Sequence, residues 1–135
     1  MTAVAIMQPT YLPWLGYFAL MDRVDEFVLL DTVQFDKRSW QQRNQIKTSN
    51  GPAWLTVPVI TKGRMNQTIK DVEIDVDRHF ADTHIRSIRH NYLQTPYFSE
   101  YDASLFDRLG SPCVLLSDLS ANSLKTITAM TKAYI

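Results

Sequence analysis

The sequence predicts an α/β fold: a three-layer, Rossmann-like arrangement with a mostly parallel sheet and an inserted β-hairpin. Three observations support this prediction. At the start of the chain, an apolar run, a helical period and a second apolar run follow one another. Further along, an Asn-Gly pair lies between two extended segments, and strand-like and helix-like stretches alternate in the second half.

The first apolar run, residues 3–7, is predicted to be a short buried strand. Pro9 and Pro13 prevent this strand from continuing. A helical period then begins, with apolar residues at Leu15, Phe18 and Met21. Residues 27–30 form the second apolar run, which ends at Asp31. A strand, a short helix and a strand in this order favour a parallel pair of strands.

The predicted hairpin pairs residues 42–47 with residues 53–59. Asn50-Gly51 between two extended segments is the strongest short-range hairpin signal in a sequence. Because side chains alternate along a strand, Arg43, Gln45 and Lys47 are predicted to share one face.

The second half of the chain predicts a strand over residues 72–76, where apolar and acidic residues alternate. Asp77 is predicted to cap a helix whose inner side carries Phe80, His84, Ile85, Ile88 and Tyr92. Thr95-Pro96 is predicted to begin the next helix. Residues 110–112 are predicted to end it.

The last elements are a candidate core strand and a helix. Residues 114–116 form a third short apolar run. Ser117 or Ser120 is predicted to cap a final helix, on which Leu124, Ile127, Met130 and Tyr134 recur at helical spacing. No Gly, Asn or Pro follows as a stop signal, so the chain is expected to be the N-terminal part of a longer protein.

Length and composition narrow the class of protein. The 135 residues suit one domain, residues 1–135. Lys plus Arg and Asp plus Glu both number 14, and this zero net charge argues against a general nucleic-acid binder. No run approaches the roughly 20 apolar residues of a membrane span, and no signal peptide is recognisable. A soluble cytoplasmic protein is expected.

The loop after the first strand, residues 8–17, is the first candidate ligand-binding segment. Tyr11 and Trp14 could stack on a planar group, and the Gln8 amide could hydrogen-bond its edge. The alternative is a hydrophobic plug over the sheet, with the prolines as rigid turns.

The second candidate segment follows the second strand and mixes cations, amides and a tryptophan. Arg binds phosphate or carboxylate through two parallel hydrogen bonds, and Lys adds a point charge. A solvated hairpin with arginine stacked on tryptophan is the alternative, and a surface for single-stranded nucleic acid is another. The candidate ligand-binding residues here are Gln34, Lys37, Arg38, Trp40, Arg43, Asn44 and Lys47.

Asp31 and His84 are the candidate catalytic residues. A carboxylate at the end of a buried strand can act as a base or bind a metal, a ribose hydroxyl or an amine. It can equally cap a helix or pair with Arg38. His84 lies on the predicted inner side of its helix, as either a general base or a hydrogen-bonded core histidine. The spacing of His79, His84 and His90 does not suit a zinc site, so no metal is predicted, and no particular cofactor is indicated.

The motifs QPTYLPWLGYF, FVLLDTVQFDKRSWQQRNQIKTSNGPAWLTVPV and HFADTHIRSI resemble the N-terminal part of WbqC-like proteins. The resemblance covers nearly the whole chain. It implies a longer protein and a role in bacterial surface polysaccharide (O-antigen) biosynthesis. His84 matches a third, weaker motif position, and Phe80 stands where the family pattern suggests Trp. The residues that match the first two motifs are Gln8, Pro9, Tyr11, Leu12, Pro13, Trp14, Gly16, Asp31, Gln34, Lys37, Arg38, Trp40, Arg43, Asn44, Lys47 and Thr48.

Two functions remain open from the sequence. The first is a group-transfer enzyme that acts on a nucleotide-activated sugar, with Tyr11 and Trp14 stacking the ligand and Arg38, Arg43 and Lys47 holding the diphosphate. The second is a non-catalytic module that binds a nucleotide or carbohydrate. A nucleic-acid binder would instead show an affinity that falls steeply with salt.

Overall fold

The computed structural model describes residues 1–131 and shows a mixed α/β fold. Four strands, four α-helices and two short 3-10 helices are present in this part of the chain. In chain order the elements are β1 (Val4–Met7), α1 (Leu15–Asp22), β2 (Glu26–Leu29), β3 (Arg43–Thr48), β4 (Gly51–Thr56), the 3-10 helices Ile69–Asp71 and Val76–Arg78, α2 (Phe80–Tyr92), α3 (Phe98–Gly110) and α4 (Leu116–Thr131).

The N-terminal βαβ unit is confirmed. β1 and β2 pair in parallel, with Ala5 opposite Phe27 and Met7 opposite Leu29. α1 covers the face that carries these side chains, because the rings of Tyr17 and Phe27 meet edge to face at 5.2 Å. The Tyr17 hydroxyl also donates to the Gln8 carbonyl at 2.9 Å, which ties α1 to the end of β1.

The opposite face of this parallel pair is bare and apolar. Ile6 is 60% exposed and Val28 41% exposed, and they lie opposite each other in the register. The predicted three-layer Rossmann-like sheet is not confirmed. The described residues form one parallel pair and one antiparallel pair of strands, and α1 covers only one side of the parallel pair.

The predicted hairpin is confirmed, with slightly different limits. β3 and β4 pair antiparallel from Arg43 opposite Thr56 to Thr48 opposite Gly51. Gly51 has φ +100, a conformation that strains any residue with a side chain. Residues 57–59, predicted to extend β4, lie beyond it in irregular backbone.

Both strands predicted for the second half are wrong. Residues 72–75 lie between two 3-10 helices, the second of which begins at Val76, and they form only isolated bridges, Val59 to Ile74 and Glu73 to Leu115. Val72 and Ile74 are buried as predicted, although Val76 is 53% exposed. The apolar residues 114–116 make the second of these bridges and then enter α4 at Leu116. Burial explains Val72, Ile74 and Leu116, because an irregular buried segment has the same pattern as a core strand, whereas Val114 is 62% exposed.

The inner face of α2 is confirmed, since His84 and Ile88 are buried and Phe80, Ile85 and Tyr92 are partly buried. The predicted caps are wrong. Asp77 lies in the preceding 3-10 helix, and the residue before α2 is His79, at φ +48. Left-handed backbone of this kind is less strained for His than for most side chains.

α3 begins at Phe98 rather than at Thr95-Pro96, because residues 95–97 form a turn stabilised by hydrogen bonds to the Tyr92 carbonyl. It ends at Gly110, as predicted. Ser117 and Ser120 are buried inside α4 and do not cap it. The predicted helical position Tyr134 lies outside the described residues.

A single core lies between the hairpin, the irregular segment 57–75 and helices α2–α4. Its largest fully buried side chains include Tyr11, Val57, Ile69, Val72, Leu109 and Leu116. The loop after β1 therefore contributes to the core through Tyr11, and this burial fixes the position of the neighbouring site residues. Among residues 1–131, no helix is long and apolar enough to cross a membrane.

Candidate functional site

The structure brings the two predicted ligand-binding segments together. The Tyr11 amide donates to the Trp40 carbonyl at 3.1 Å. The Asn44 side-chain amide donates to the carbonyls of Tyr11 and Leu12, at 3.2 and 2.7 Å. Asn44 therefore joins the loop after β1 to the hairpin, and its role is to position this loop.

Two adjacent buried glutamines hold the loop of residues 36–42 in shape. The Gln41 side chain accepts from the Asp36 amide at 2.9 Å and donates to the Gln8 side chain at 2.6 Å. The Gln42 side chain accepts from the Arg38 amide at 3.0 Å and donates to the Val57 carbonyl at 2.9 Å. Since each amide uses both its oxygen and its nitrogen, the loop is bound to two separate parts of the fold.

The same loop lines two clefts. The first, here called the tryptophan cleft, has a volume of about 500 Å³. Its lining residues are Ile6, Met7, Gln8, Thr10, Trp14, Leu30, Asp36, Ser39, Trp40 and Gln41. It lies at the carboxyl ends of β1 and β2, the usual position for a ligand in an open α/β sheet. An adjoining hollow of about 340 Å³ shares Thr10, Trp14 and Trp40 with it.

Exposed aromatic rings surround the tryptophan cleft. Trp14 is 58% exposed and Trp40 is 55% exposed. The Trp40 ring lies 5.5 Å from the Trp54 ring, and the Arg43 guanidinium lies 3.9 Å above Trp54. All three tryptophans of the chain therefore lie at or next to this cleft with ring surface open to solvent.

Tyr11, predicted to stack on a ligand, is fully buried and has no exposed ring face. Its hydroxyl lies 2.7 Å from Nδ1 of His84, and Nε2 of His84 lies 3.1 Å from the Thr56 carbonyl. Because a carbonyl only accepts, Nε2 carries the proton, and Nδ1 accepts from the Tyr11 hydroxyl. Burial lowers the pKa of His84 to about 4 and raises the pKa of Tyr11, so both side chains are neutral near pH 7.

His84 also lines the second cleft, here called the histidine cleft. Its volume is about 440 Å³, and its polar lining residues are Lys37, Gln42, Thr56, Thr61, Arg78, Thr83 and His84. Gln42 and Lys37 belong to the loop whose other residues bound the tryptophan cleft. The two clefts are therefore neighbours that share one wall.

The remaining predicted site residues are dispersed. Asp31 lies two residues after the end of β2, and its carbonyl accepts from the Lys70 amide at 2.9 Å. Gln34 bridges to Thr68 and donates to Asn66 at 3.4 Å. Arg43, Gln45 and Lys47 share the outer face of β3, as predicted, with Lys47 exposed. Arg38 is exposed and has left-handed backbone at φ +63.

Sequence reasoning missed four residues that shape the site: Gln41, Gln42, Trp54 and Arg78. The glutamine pair lay inside the polar cluster but carries no charge or ring that would single it out. Trp54 lies opposite Gln45 in the hairpin register, so the predicted hairpin could have placed it on the outer face. Nothing local indicated Arg78, because its place in the histidine cleft depends on contacts between distant segments.

A third cleft, of about 340 Å³, lies between α2, α3 and the hairpin. Its lining is apolar, with Leu12, Ile46, Ile88, Phe98 and Phe106 among its residues. It offers van der Waals contact and carries little polar chemistry. No group of three or more His, Cys, Asp or Glu side chains able to hold a metal ion is found within residues 1–131.

Comparison with known proteins identifies the family of this chain. The model of the WbqC-like protein family matches residues 8–133, nearly the whole chain. The chain belongs to the WbqC-like protein family. This WbqC-like chain is also 47% identical over 100 residues to the uncharacterized protein Rv1507c of Mycobacterium tuberculosis. No solved structure matches it.

The matched stretch spans 74% of the WbqC-like chain but only 43% of the mycobacterial relative. More than half of that relative therefore lies outside the match. The histidine cleft lies wholly within the family match, and so does the tryptophan cleft apart from Ile6 and Met7. The whole loop of residues 36–42 is part of the match.

Proposed function

We propose that this WbqC-like protein binds a nucleotide-activated sugar in the tryptophan cleft and transfers a group to or from that sugar. The proposed setting is bacterial surface polysaccharide (O-antigen) biosynthesis, as the family resemblance implies. One observation carries the proposal: the three tryptophans cluster with exposed rings beside a largely apolar cleft that also presents amide, hydroxyl and carboxylate side chains.

A cluster of exposed aromatic rings marks an interaction site, and a planar base or the apolar face of a sugar ring suits these rings. Base–aromatic stacking contributes about 1–3 kcal/mol per base. Gln8, Thr10 and Asp36 supply donors and acceptors for sugar hydroxyls or base edges. This division into apolar walls and a few polar groups is typical of small-molecule sites.

The proposed reaction is acylation of an amino sugar by an acyl donor activated as a thioester or acyl phosphate. The amine nitrogen attacks the carbonyl carbon, a carbon–nitrogen bond forms, and the bond to the leaving thiol or phosphate breaks. The nitrogen gives its proton to a general base. Asp31 is the proposed base, because it directly follows Leu30, which lines the tryptophan cleft.

His84 is less suited to this role, since both ring nitrogens are already hydrogen-bonded. As a base it would have to accept a proton at Nδ1, which already accepts from the Tyr11 hydroxyl, so that bond must break first. We therefore propose that His84 positions the loop after β1 by way of Tyr11. The fact that both ring nitrogens of His84 are already hydrogen-bonded also favours the second candidate function, a non-catalytic module that binds a nucleotide or carbohydrate.

Titration calorimetry with a panel of nucleotide sugars tests the binding step. Trp14→Ala and Trp40→Ala are each expected to weaken binding about ten-fold, as the loss of one stacking contact predicts. Leu15→Ala is the matched control, because Leu15 is 86% exposed beside Trp14 and does not line the cleft. Absence of heat with every nucleotide sugar would refute the proposal.

Asp31→Asn separates the two candidate functions once a ligand is known. Loss of turnover with intact binding supports the enzyme. Unchanged biological output in cells that carry the variant supports the binding module instead.

We also propose that the β1–β2 pair belongs to a larger, Rossmann-like parallel sheet in the longer members of the family. Parallel sheets are normally covered on both faces, whereas Ile6 and Val28 are exposed here. Cysteines placed at the equivalent positions of the mycobacterial relative should be protected from thiol reagents until that protein unfolds. Rapid labelling of the folded relative would contradict this proposal.

A further inference from the structure

We infer that the histidine cleft is a phosphate subsite, in which Lys37 and Arg78 bind the charged group of the substrate. The inference rests on the proposed function, because it assigns the diphosphate of the nucleotide-activated sugar to a cleft beside the one that holds its base or sugar. It also assigns a role to Arg78, which the sequence patterns did not single out.

Charge is divided between the two neighbouring clefts. The histidine cleft is lined by two cations, and none of the described residues that line it is acidic. The tryptophan cleft is lined by one carboxylate, Asp36, and by no described cation. An anion is therefore attracted to the histidine cleft and repelled from the carboxylate in the tryptophan cleft.

The two cations are available to a ligand. Both side chains belong to exposed residues, and within residues 1–131 neither forms an ion pair with a carboxylate. By contrast, the Arg64 guanidinium lies 2.8 Å from the Glu73 carboxylate. Within this part of the chain, no ion pair with a carboxylate therefore competes with a bound anion for Lys37 or Arg78.

The residue that follows each cation has left-handed backbone. Lys37 precedes Arg38 at φ +63, and Arg78 precedes His79 at φ +48. Left-handed backbone at residues other than glycine is strained and is concentrated at functional sites. Arg78 also ends a 3-10 helix, and Lys37 lies in the loop that Gln42 ties to Val57. Both side chains therefore enter the cleft from constrained backbone.

The chemistry of the lining suits a phosphate group. The Arg78 guanidinium can donate two parallel hydrogen bonds to phosphate oxygens, and the Lys37 ammonium adds a second charge. The hydroxyls of Thr61 and Thr83 are further donors on the same cleft. A volume of about 440 Å³ accommodates a diphosphate.

This inference replaces the sequence prediction that Arg38, Arg43 and Lys47 hold the diphosphate. Arg43 is stacked on Trp54, and Lys47 lies on the outer face of the hairpin. None of the three is among the residues that line the histidine cleft.

Titration with inorganic pyrophosphate at constant ionic strength tests the inference without a nucleotide. Arg78→Gln is expected to weaken pyrophosphate binding about ten-fold, as the loss of one charge-assisted bidentate contact predicts. Lys37→Gln is expected to weaken it several-fold. Arg86→Gln is the matched control, because Arg86 is exposed on α2 away from the cleft lining. Equal affinities in wild type and Arg78→Gln, or an equal loss in Arg86→Gln, would overturn the inference.

Competition then identifies the source of the phosphate. If the site holds the diphosphate of the nucleotide sugar, pyrophosphate displaces that ligand, and Trp14→Ala weakens nucleotide-sugar binding while leaving pyrophosphate binding unchanged. Simultaneous binding of both ligands overturns this assignment of the diphosphate. Arg78-dependent pyrophosphate binding in a protein that binds no nucleotide sugar would refute the proposed function and leave the phosphate subsite intact.

Discussion

The Tyr11 hydroxyl donates a 2.7 Å hydrogen bond to Nδ1 of His84, which lies 73 residues later in the chain. This bond joins the loop after β1 to α2 across the core. Since the ring of His84 is held on its other side by Thr56, one buried imidazole links three segments of the fold. Both candidate clefts are built on these segments.

Tyr11→Phe should reduce the free energy of unfolding by about 1–3 kcal/mol, because it leaves a buried histidine nitrogen without a donor. Denaturant unfolding measures this loss. Tyr97→Phe is the control and should change stability by less than about 0.5 kcal/mol, since Tyr97 is 61% exposed. Similar stabilities for the two variants would show that the Tyr11–His84 bond contributes little.

Stability should fall as the pH is lowered from about 6.5 to 4, because the pKa of His84 is lowered to about 4 in the folded protein. In this window the unfolded state binds a proton at His84 and the folded state does not, so acid favours unfolding. Above pH 6.5 the stability that depends on a neutral His84 is fully present, and its loss at low pH amounts to about 3 kcal/mol. Unfolding curves of His84→Gln should show a smaller slope with pH in this window. Identical slopes would contradict the assignment.

Gln41→Leu should loosen the loop that separates the two clefts. The substitution leaves the Asp36 amide and the Gln8 side chain without their partner, at a cost of about 1–3 kcal/mol. Hydrogen exchange should show faster exchange of the Asp36 amide. Gln45→Leu is the control, because Gln45 lies exposed on the outer face of β3 and should leave this exchange rate unchanged.

Glycine should be favoured over alanine at position 38, where φ is +63. Arg38→Gly is expected to be more stable than Arg38→Ala by about 1 kcal/mol, since alanine retains the left-handed strain. The same pair at Arg86, inside α2, should show the opposite order, because glycine is the poorer helix residue by about 1 kcal/mol. Thermal unfolding of the four variants decides between these orders.

The sequence predicted the local elements well where spacing between near neighbours determines them. The parallel β1–β2 unit, the hairpin with its Arg43–Lys47 face and the inner side of α2 all follow from periodicity and turn residues. It failed at residues 72–76 and 114–116, where Val72, Ile74 and Leu116 are buried without forming a strand. Strand formation requires a partner with matching register, and a run of side chains does not reveal whether a partner is present.

The candidate site, like the fold, was only partly predictable from the sequence. Motif residues alone identified the family and the two polar segments, and their proximity followed from the parallel order of β1 and β2. Only the tertiary structure buried Tyr11 against His84, placed Trp54 beside Trp40 and set Arg78 into the histidine cleft. Propensity and periodicity depend on residues a few positions apart, whereas burial, hydrogen-bond pairing and the sharing of charge between clefts depend on contacts across the whole fold.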